Sequence, residues 1–309
     1  MRNYILNAVI FSSLLSLVAC EEKMTEDEIA RIGIEPCRKP AKFISTIGFD
    51  PSKAAYSTSE QNIKGLTLIQ LPASGDSIRK VYQDSSWSQY GYMSSITTDD
   101  NGNAYVAPIP FVNTLDNTLA TIHTIYKVNN ENGKMELFME LPKIDSIAGV
   151  NPYGILGLYY DCHGKKMYVS SVGGSTQEKE NGSLYVIDIA SKKIIDQLKG
   201  YDPLGLFVGG ATGSKKLYFG HARTSDIYSI ELSKDGTFKG KPTIELTLDG
   251  VGPRGMDKAR RIRSDQYGNL LIYGIDFSYN LAAQSNKPES RYQFGYNRED
   301  KKWILMKIE

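Results

Sequence analysis

Apolar residues along the chain fall in short runs, and the runs come in pairs separated by polar turns. Residues 94–98 lead through 99–103 into 104–107. Residues 157–161 lead through 162–166 into 167–170, 207–211 through 212–216 into 217–220, and 259–264 through 265–269 into 270–273. A degenerate copy runs from 43–49 through 50–53 into 54–57. Four of these turns carry a glycine, the residue that takes positive φ without strain. The run after each turn is rich in Tyr, Val, Leu, Met or Phe, as a half-buried strand should be. A second pair follows each first pair: 66–71 with 78–82, 124–128 with 135–141, 183–189 with 194–198, 226–232 with 238–248, and 291–296 with 303–308.

Two hairpins in series make a four-stranded meander, and such a unit recurs at 41–86, 90–143, 150–201, 203–250 and 256–309. One unit cannot bury both of its faces, so the repeats must stack on one another. The expectation is an all-β fold, a β-propeller of four-stranded blades. Five blades are counted, with six as the alternative if residues 21–47 add strands. A β-sandwich fits less well because both hairpins recur in a regular period.

The turn-and-strand pattern Asp-x-x-Gly-Asn-x-Tyr, present as Asp99, Gly102, Asn103 and Tyr105, resembles the six-bladed propellers of the NHL, gluconolactonase and TolB-like group. In gluconolactonase-like relatives, Glu, Asn and Asp side chains hold a divalent metal such as calcium in the channel. The resemblance implies that Asn151, Asp257 and Asp276 could supply part of that set. The glutamate wanted at the entrance of the first blade is missing.

The N-terminus reads separately. Residues 5–19 are almost wholly apolar and uncharged, follow Arg2, and are too short to span a bilayer comfortably. They end in Leu17-Val18-Ala19-Cys20, which resembles the lipobox of bacterial lipoproteins. The resemblance implies a signal peptide over 1–19, a lipid on Cys20, and multiple acyl chains that anchor durably. Residues 20–40 then form the lipidated cysteine and an acidic tether, and 41–309 the single propeller domain. The polar run 21–28 is expected to stay solvated. Glu21, rather than Asp, follows the cysteine. By the same resemblance the address is the outer membrane, with the acidic run favouring display at the cell surface.

Composition changes this picture little. Formal net charge is +1, and loss of Arg2 with the leader leaves the rest near zero, so no global basic field recruits nucleic acid. The cysteines are Cys20, Cys37 and Cys162, with no zinc-ligand spacing. A Cys37–Cys162 disulfide is open in an oxidising compartment.

Function must come from a site. Loops that enter each first strand and join each second to third strand surround the channel mouth. They carry Tyr90, Tyr92, Asn113, Asn151, Tyr153, His221, Arg223, Arg254, Asp257, Arg260 and Asp276, with Tyr279 and Asn280 beside them. Tyr, Arg and Asn make adaptable binding surfaces. The run 252–263 is the one concentrated basic patch; it is either a receptor for a carboxylate or phosphate, or a solvated strand entry. No nucleophile elbow or phosphate loop is present, and the three histidines fall in different repeats. The leading expectation is therefore a binding lipoprotein whose mouth takes a small molecule, a glycan or a protein such as an outer-membrane transporter. A bulky anionic aromatic such as a ferric siderophore would suit the same residue types. A metal-dependent, lactonase-like hydrolase and a passive envelope scaffold are the alternatives.

Overall fold

The computed structural model describes residues 24–34, 38–58, 63–70, 72, 80–110, 115–144, 151–281 and 289–309. Cys20, Cys37 and Asn113 lie outside them. Within them the chain is almost entirely antiparallel β-structure, arranged as a five-bladed propeller. Blade 1 holds β1 (Ala54–Ser57), β2 (Thr67–Gln70) and β3 (Lys80–Tyr82). Blade 2 holds β4 (Met93–Thr98), β5 (Ala104–Pro108), β6 (Thr124–Val128) and β7 (Met135–Glu140). Blade 3 holds β8 (Ile155–Asp161), β9 (Lys166–Ser171), β10 (Ser183–Asp188) and β11 (Lys193–Lys199). Blade 4 holds β12 (Pro203–Gly209), β13 (Lys216–His221), β14 (Asp226–Leu232) and β15 (Phe238–Thr247). Blade 5 holds β16 (Lys258–Ser264), β17 (Leu270–Ile275), β18 (Ser290–Asn297) and β19 (Lys302–Ile308). Each sheet runs in sequence order, as a meander must.

The counted repeats therefore stand, with one change in the first. Residues 43–49, expected as its opening strand, instead form helix α2 (Lys42–Thr46) and a turn. Phe43 and Ile44 pack against Trp87 and blade 2, while the Phe43 N–H bonds to the Asn130 carbonyl of a blade 2 turn. Burying two adjacent apolar residues on one side suits a helical turn and not a strand, whose neighbours point to opposite faces. Among the described residues blade 1 thus has three strands.

The polar run 21–28 also departs from a plain tether. From Thr25 it becomes helix α1 (Glu26–Arg31), closed by a capping box between Thr25 and Glu28. The chain behind it crosses the turn side of the ring. Ile32 is buried against blade 4, its carbonyl accepts from Gly210 N–H, and the Gly33 carbonyl accepts from Ser264. Arg38 then lies over the Tyr159 ring of blade 3.

The recurrent Asp-x-x-Gly-Asn turn has a local explanation. Asp99 accepts the N–H groups of Asn101 and Asn103 and the Asn103 side chain, and Tyr105 donates to it from the next strand. Asp265 and Asn269 repeat the arrangement in blade 5. The motif is a turn lock, which carboxylate and amide groups supply by bonding backbone two and four residues on.

Four apolar cores seal the ring. One joins α2 with blades 1 and 2, and others join blades 2 to 3, 3 to 4, and 4 to 5. Among the described residues no such core joins blade 5 to blade 1.

Candidate functional site

Inner strands β4, β8, β12 and β16 lie alongside one another around the axis. Each carries a β-bulge near its loop-side start, after Met93, Ile155, Pro203 and Ala259 respectively. A bulge adds an unpaired residue and re-aims its side chain. The residues so displaced are Ser94 and Ser95, Leu156, Leu204 and Gly205, and Arg260. Close approach is needed here: a Cβ on Gly205 would stand 2.6 Å from the Arg260 carbonyl oxygen, and one on Gly157 2.5 Å from that of Leu204.

The mouth predicted from sequence is largely self-occupied. Tyr153, Leu156, Val172, Leu204, Ala222 and Tyr279 form an apolar cluster across it, with Phe277 and Leu281 packed on top. Asn151 is buried and bonds the Val172 carbonyl and Tyr153 N–H. Tyr153 donates to the Asn280 carbonyl. Tyr90 stacks on Tyr126 at 4.1 Å, and the Tyr92 backbone is held by Asn117. Asp276 is exposed.

His221 and Arg223 serve a hub that the sequence reading missed, Asp202. This carboxylate has no solvent exposure. It accepts from Arg223 Nε at 2.7 Å, from Gly182 N–H at 2.9 Å, and from the hydroxyls of Ser175 and Tyr279. Burial and then the Asp202 bond push the Tyr279 phenol well above its ordinary range. His221 Nδ1 accepts the Thr224 N–H, which fixes the proton on Nε2, where it donates to Glu180 at 2.7 Å. The hub ties the loops of blades 3, 4 and 5 together. Only a chemistry-bearing Asp at the blade 4 entrance hinted at it in sequence.

Arg254 and Asp257 form a second closed unit. Asp257 is fully buried and takes Arg254 in bidentate fashion together with Tyr292 at 2.7 Å. Burial alone would raise this carboxyl, but the Arg254, Tyr292 and Ser290 bonds outweigh it and hold it below the usual range. With Asn151 and Asp257 committed to protein partners, the residues named for a calcium site do not fit one. No cluster of three or more His, Cys, Asp or Glu side chains suited to a metal occurs among the described residues.

Arg260 behaves differently. Its guanidinium reaches out of β16 to the Leu156 carbonyl at 2.7 Å and to the Ser94 hydroxyl, linking blade 5 to blades 3 and 2. Both partners are neutral, and they leave guanidinium N–H donors over. Surrounding protein pulls its pKa down, with Glu289 the largest opposing influence, yet an arginine stays charged. Beyond it lies the face of blade 5 turned away from blade 4. Arg261, Tyr273 and Arg291 stand opposite one another in register across β16, β17 and β18. Their guanidinium carbons lie 4.5 Å and 5.4 Å from the Tyr273 ring centre, and that of Arg263 lies 6.0 Å away. Glu289 pairs with Arg261 and Glu309 with Arg291, both at the exposed rim. Arg263 has the tyrosine ring but no carboxylate.

No family model and no curated protein matches the chain. Among solved structures it is similar to regucalcin, a calcium-binding protein of Agrobacterium tumefaciens strain C58 (16% identity, 74% of this chain and 63% of that chain, TM-score 0.45). The chain thus spans about 63% of the length of that protein. It is also similar to a Lactobacillus plantarum protein (13% identity, 83% and 81% covered, TM-score 0.45) and to a glucose dehydrogenase (13%, 76% and 77%, TM-score 0.43). These likenesses reach the propeller architecture, which the five sheets establish themselves, and no activity follows from them.

Proposed function

We propose that this protein is a lipid-anchored, extracytoplasmic binding propeller that captures an anionic ligand at the inner edge of blade 5. The observation that carries the reading is Arg260, a half-buried guanidinium held by two neutral oxygens and, among the described residues, by no carboxylate. Burying a charge without a counter-charge is costly, so such a group suits an anion that arrives from outside. The neutral partners hold its position and leave its charge for the ligand.

Export and anchoring rest on Cys20 and the apolar segment before it. The disulfide state of Cys162 supports an oxidising compartment. The partner of Cys162 lies outside the described residues; with Cys20 acylated, Cys37 is the cysteine left for it. Outer-membrane attachment and surface display are the address read from Glu21 and the acidic run.

The binding test is a thermal-shift and calorimetric titration of the chain from residue 21, which contains every described residue, with acetate, benzoate, sulfate and orthophosphate. At least one should raise the melting temperature by mass action, and Arg260→Ala should abolish the shift. Absence of any shift, or an unchanged one in the variant, refutes the reading. Anchoring is tested by fractionation and mass spectrometry: Cys20→Ala should move the protein from membrane to soluble fractions. Loss of the whole chain under protease shaving of intact cells supports display; full protection refutes it.

A further inference from the structure

Resting on that reading, we propose that the ligand is a multiply charged oxyanion, with two or more phosphate- or sulfate-type groups set several ångströms apart, and that it lies along the arginine face of blade 5. The face repeats its charges at fixed intervals. Arg261 and Arg263 are two residues apart on one strand, so their Cα atoms are separated by roughly 7 Å on the same side of the sheet. Arg291 sits two strands across in the same row as Arg261, roughly 10 Å away. Arg260 adds a further guanidinium at the axial end.

Like charges do not gather without compensation. Here the compensation is partial: the Tyr273 ring offers its negative face to three guanidinium groups at once. The carboxylates Glu289 and Glu309 cover two of the four arginines from exposed positions. Such exposed pairs are worth no more than about 1 kcal/mol each. An incoming oxyanion can therefore displace them at little cost. Arg263 and Arg260 form no ion pair with a carboxylate among the described residues, Glu289 acting on both only from a distance. Arg263 is exposed, yet desolvation by the surrounding chain and then the Arg261 charge lower its pKa, with Arg38 adding to the repulsion. A second negative charge relieves that repulsion, which a monoanion seated at Arg260 leaves in place.

The guanidinium fork matches tetrahedral phosphate and sulfate as well as carboxylate. Charge multiplicity, more than head-group shape, is what this surface selects. The opposite face of the same blade shows what an unselective surface looks like here: Ala259, Ile262, Ile272 and Phe294 close it against blade 4.

The experiment is calorimetry on the chain from residue 21 at fixed ionic strength, with acetate, orthophosphate, pyrophosphate and tripolyphosphate. Sucrose octasulfate provides the sulfated arm. Affinity is expected to climb by about tenfold or more from orthophosphate to tripolyphosphate, and to fall steeply with added salt. Arg263→Ala and Arg291→Ala should each remove most of that gain while leaving orthophosphate binding nearly intact. Arg260→Ala should weaken every anion. Preference for the octasulfate or for tripolyphosphate identifies which oxyanion source the face accepts, and either supports the inference. Orthophosphate binding as tightly as both, or a gain that survives both face variants, overturns it while leaving the anion-binding reading standing. No binding by any probe overturns both. Unchanged near-ultraviolet circular dichroism in the variants guards against a folding artefact.

Discussion

The two faces of blade 5 belong to one sheet and differ in almost everything else. Toward blade 4 the row Ile262, Ile272 and Tyr292 joins Phe294, Leu270 and Trp303 in a buried core. One residue along, the row Arg261, Tyr273 and Arg291 points the other way and meets solvent, with the Arg261 side chain 45% exposed and that of Arg291 62%. Strand alternation makes both rows unavoidable once one is set. What differs is the neighbour: blade 4 offers apolar strands, whereas the other side lacks a described apolar partner. With described apolar cores between the other neighbouring blades, the remaining face of blade 5 carries charge.

The sharpest way to break the closed face is Asp257→Ala. The change removes the carboxylate that the Arg254 guanidinium and the Tyr292 hydroxyl share in a protein interior. A loss of about 3–5 kcal/mol is expected in denaturant unfolding. A loss under about 1 kcal/mol would mean that the pair is not the anchor of that face. Next in size is Cys162→Ser, which should cost about 2–4 kcal/mol. Non-reducing peptide mapping should recover a Cys37–Cys162 peptide from the wild type. Dithiothreitol should lower the wild-type melting temperature and leave the variant's unchanged.

A smaller effect comes from His123, buried in the blade 2 loop. Burial, and then Lys143, lower its pKa. Between the folded value and the unfolded value of about 6.5 the unfolded chain binds more protons, so stability falls as pH drops through that window. His123→Gln should flatten this part of the pH profile; an unchanged slope would assign it to other groups. The smallest expected change is in Arg263→Ala, whose stability should stay within about 0.5 kcal/mol of wild type. If it instead destabilises strongly, the arginine face is structural and the two faces are less different than they look.

The repeats were legible because strand alternation and turn chemistry are local, and each of five copies reinforced the others. The first copy was misread in one piece, since the run 43–49 is apolar enough for a strand but packs from one side as α2 does. The site was only half legible. Arg254, Asp257, His221 and Arg223 were found as residue types at loop positions. Arg223 and His221 are committed to Asp202 and Glu180, 21 and 41 residues away, whereas the Arg254–Asp257 pair is local and only its burial depends on the rest of the fold. One signal was available: Ala259 and Ile262 share a face although they are three positions apart, with two residues between them, which a regular strand forbids. The surplus residue is Arg260, and Leu156 is its counterpart in blade 3. The arginine row was visible as a basic patch, but its exposure follows from there being no apolar core between blades 5 and 1 among the described residues, which no local pattern encodes.

The course of residues 25–34 sets a stand-off distance. Thr25 caps α1, and Ile32 and Gly33 are pinned to the turn side of blades 4 and 5. Fully extended, the chain from Cys20 to Thr25 reaches at most roughly 18 Å. With the lipid on Cys20 that we propose, the propeller has little leash. On that proposal its turn side would face the bilayer, the apolar plug of Tyr153 and Tyr279 would point outward, and the arginine face of blade 5 would stand broadside. A ligand would then approach parallel to the membrane plane, and the molecule would act less as an upright cup than as a docking post gripped from the side.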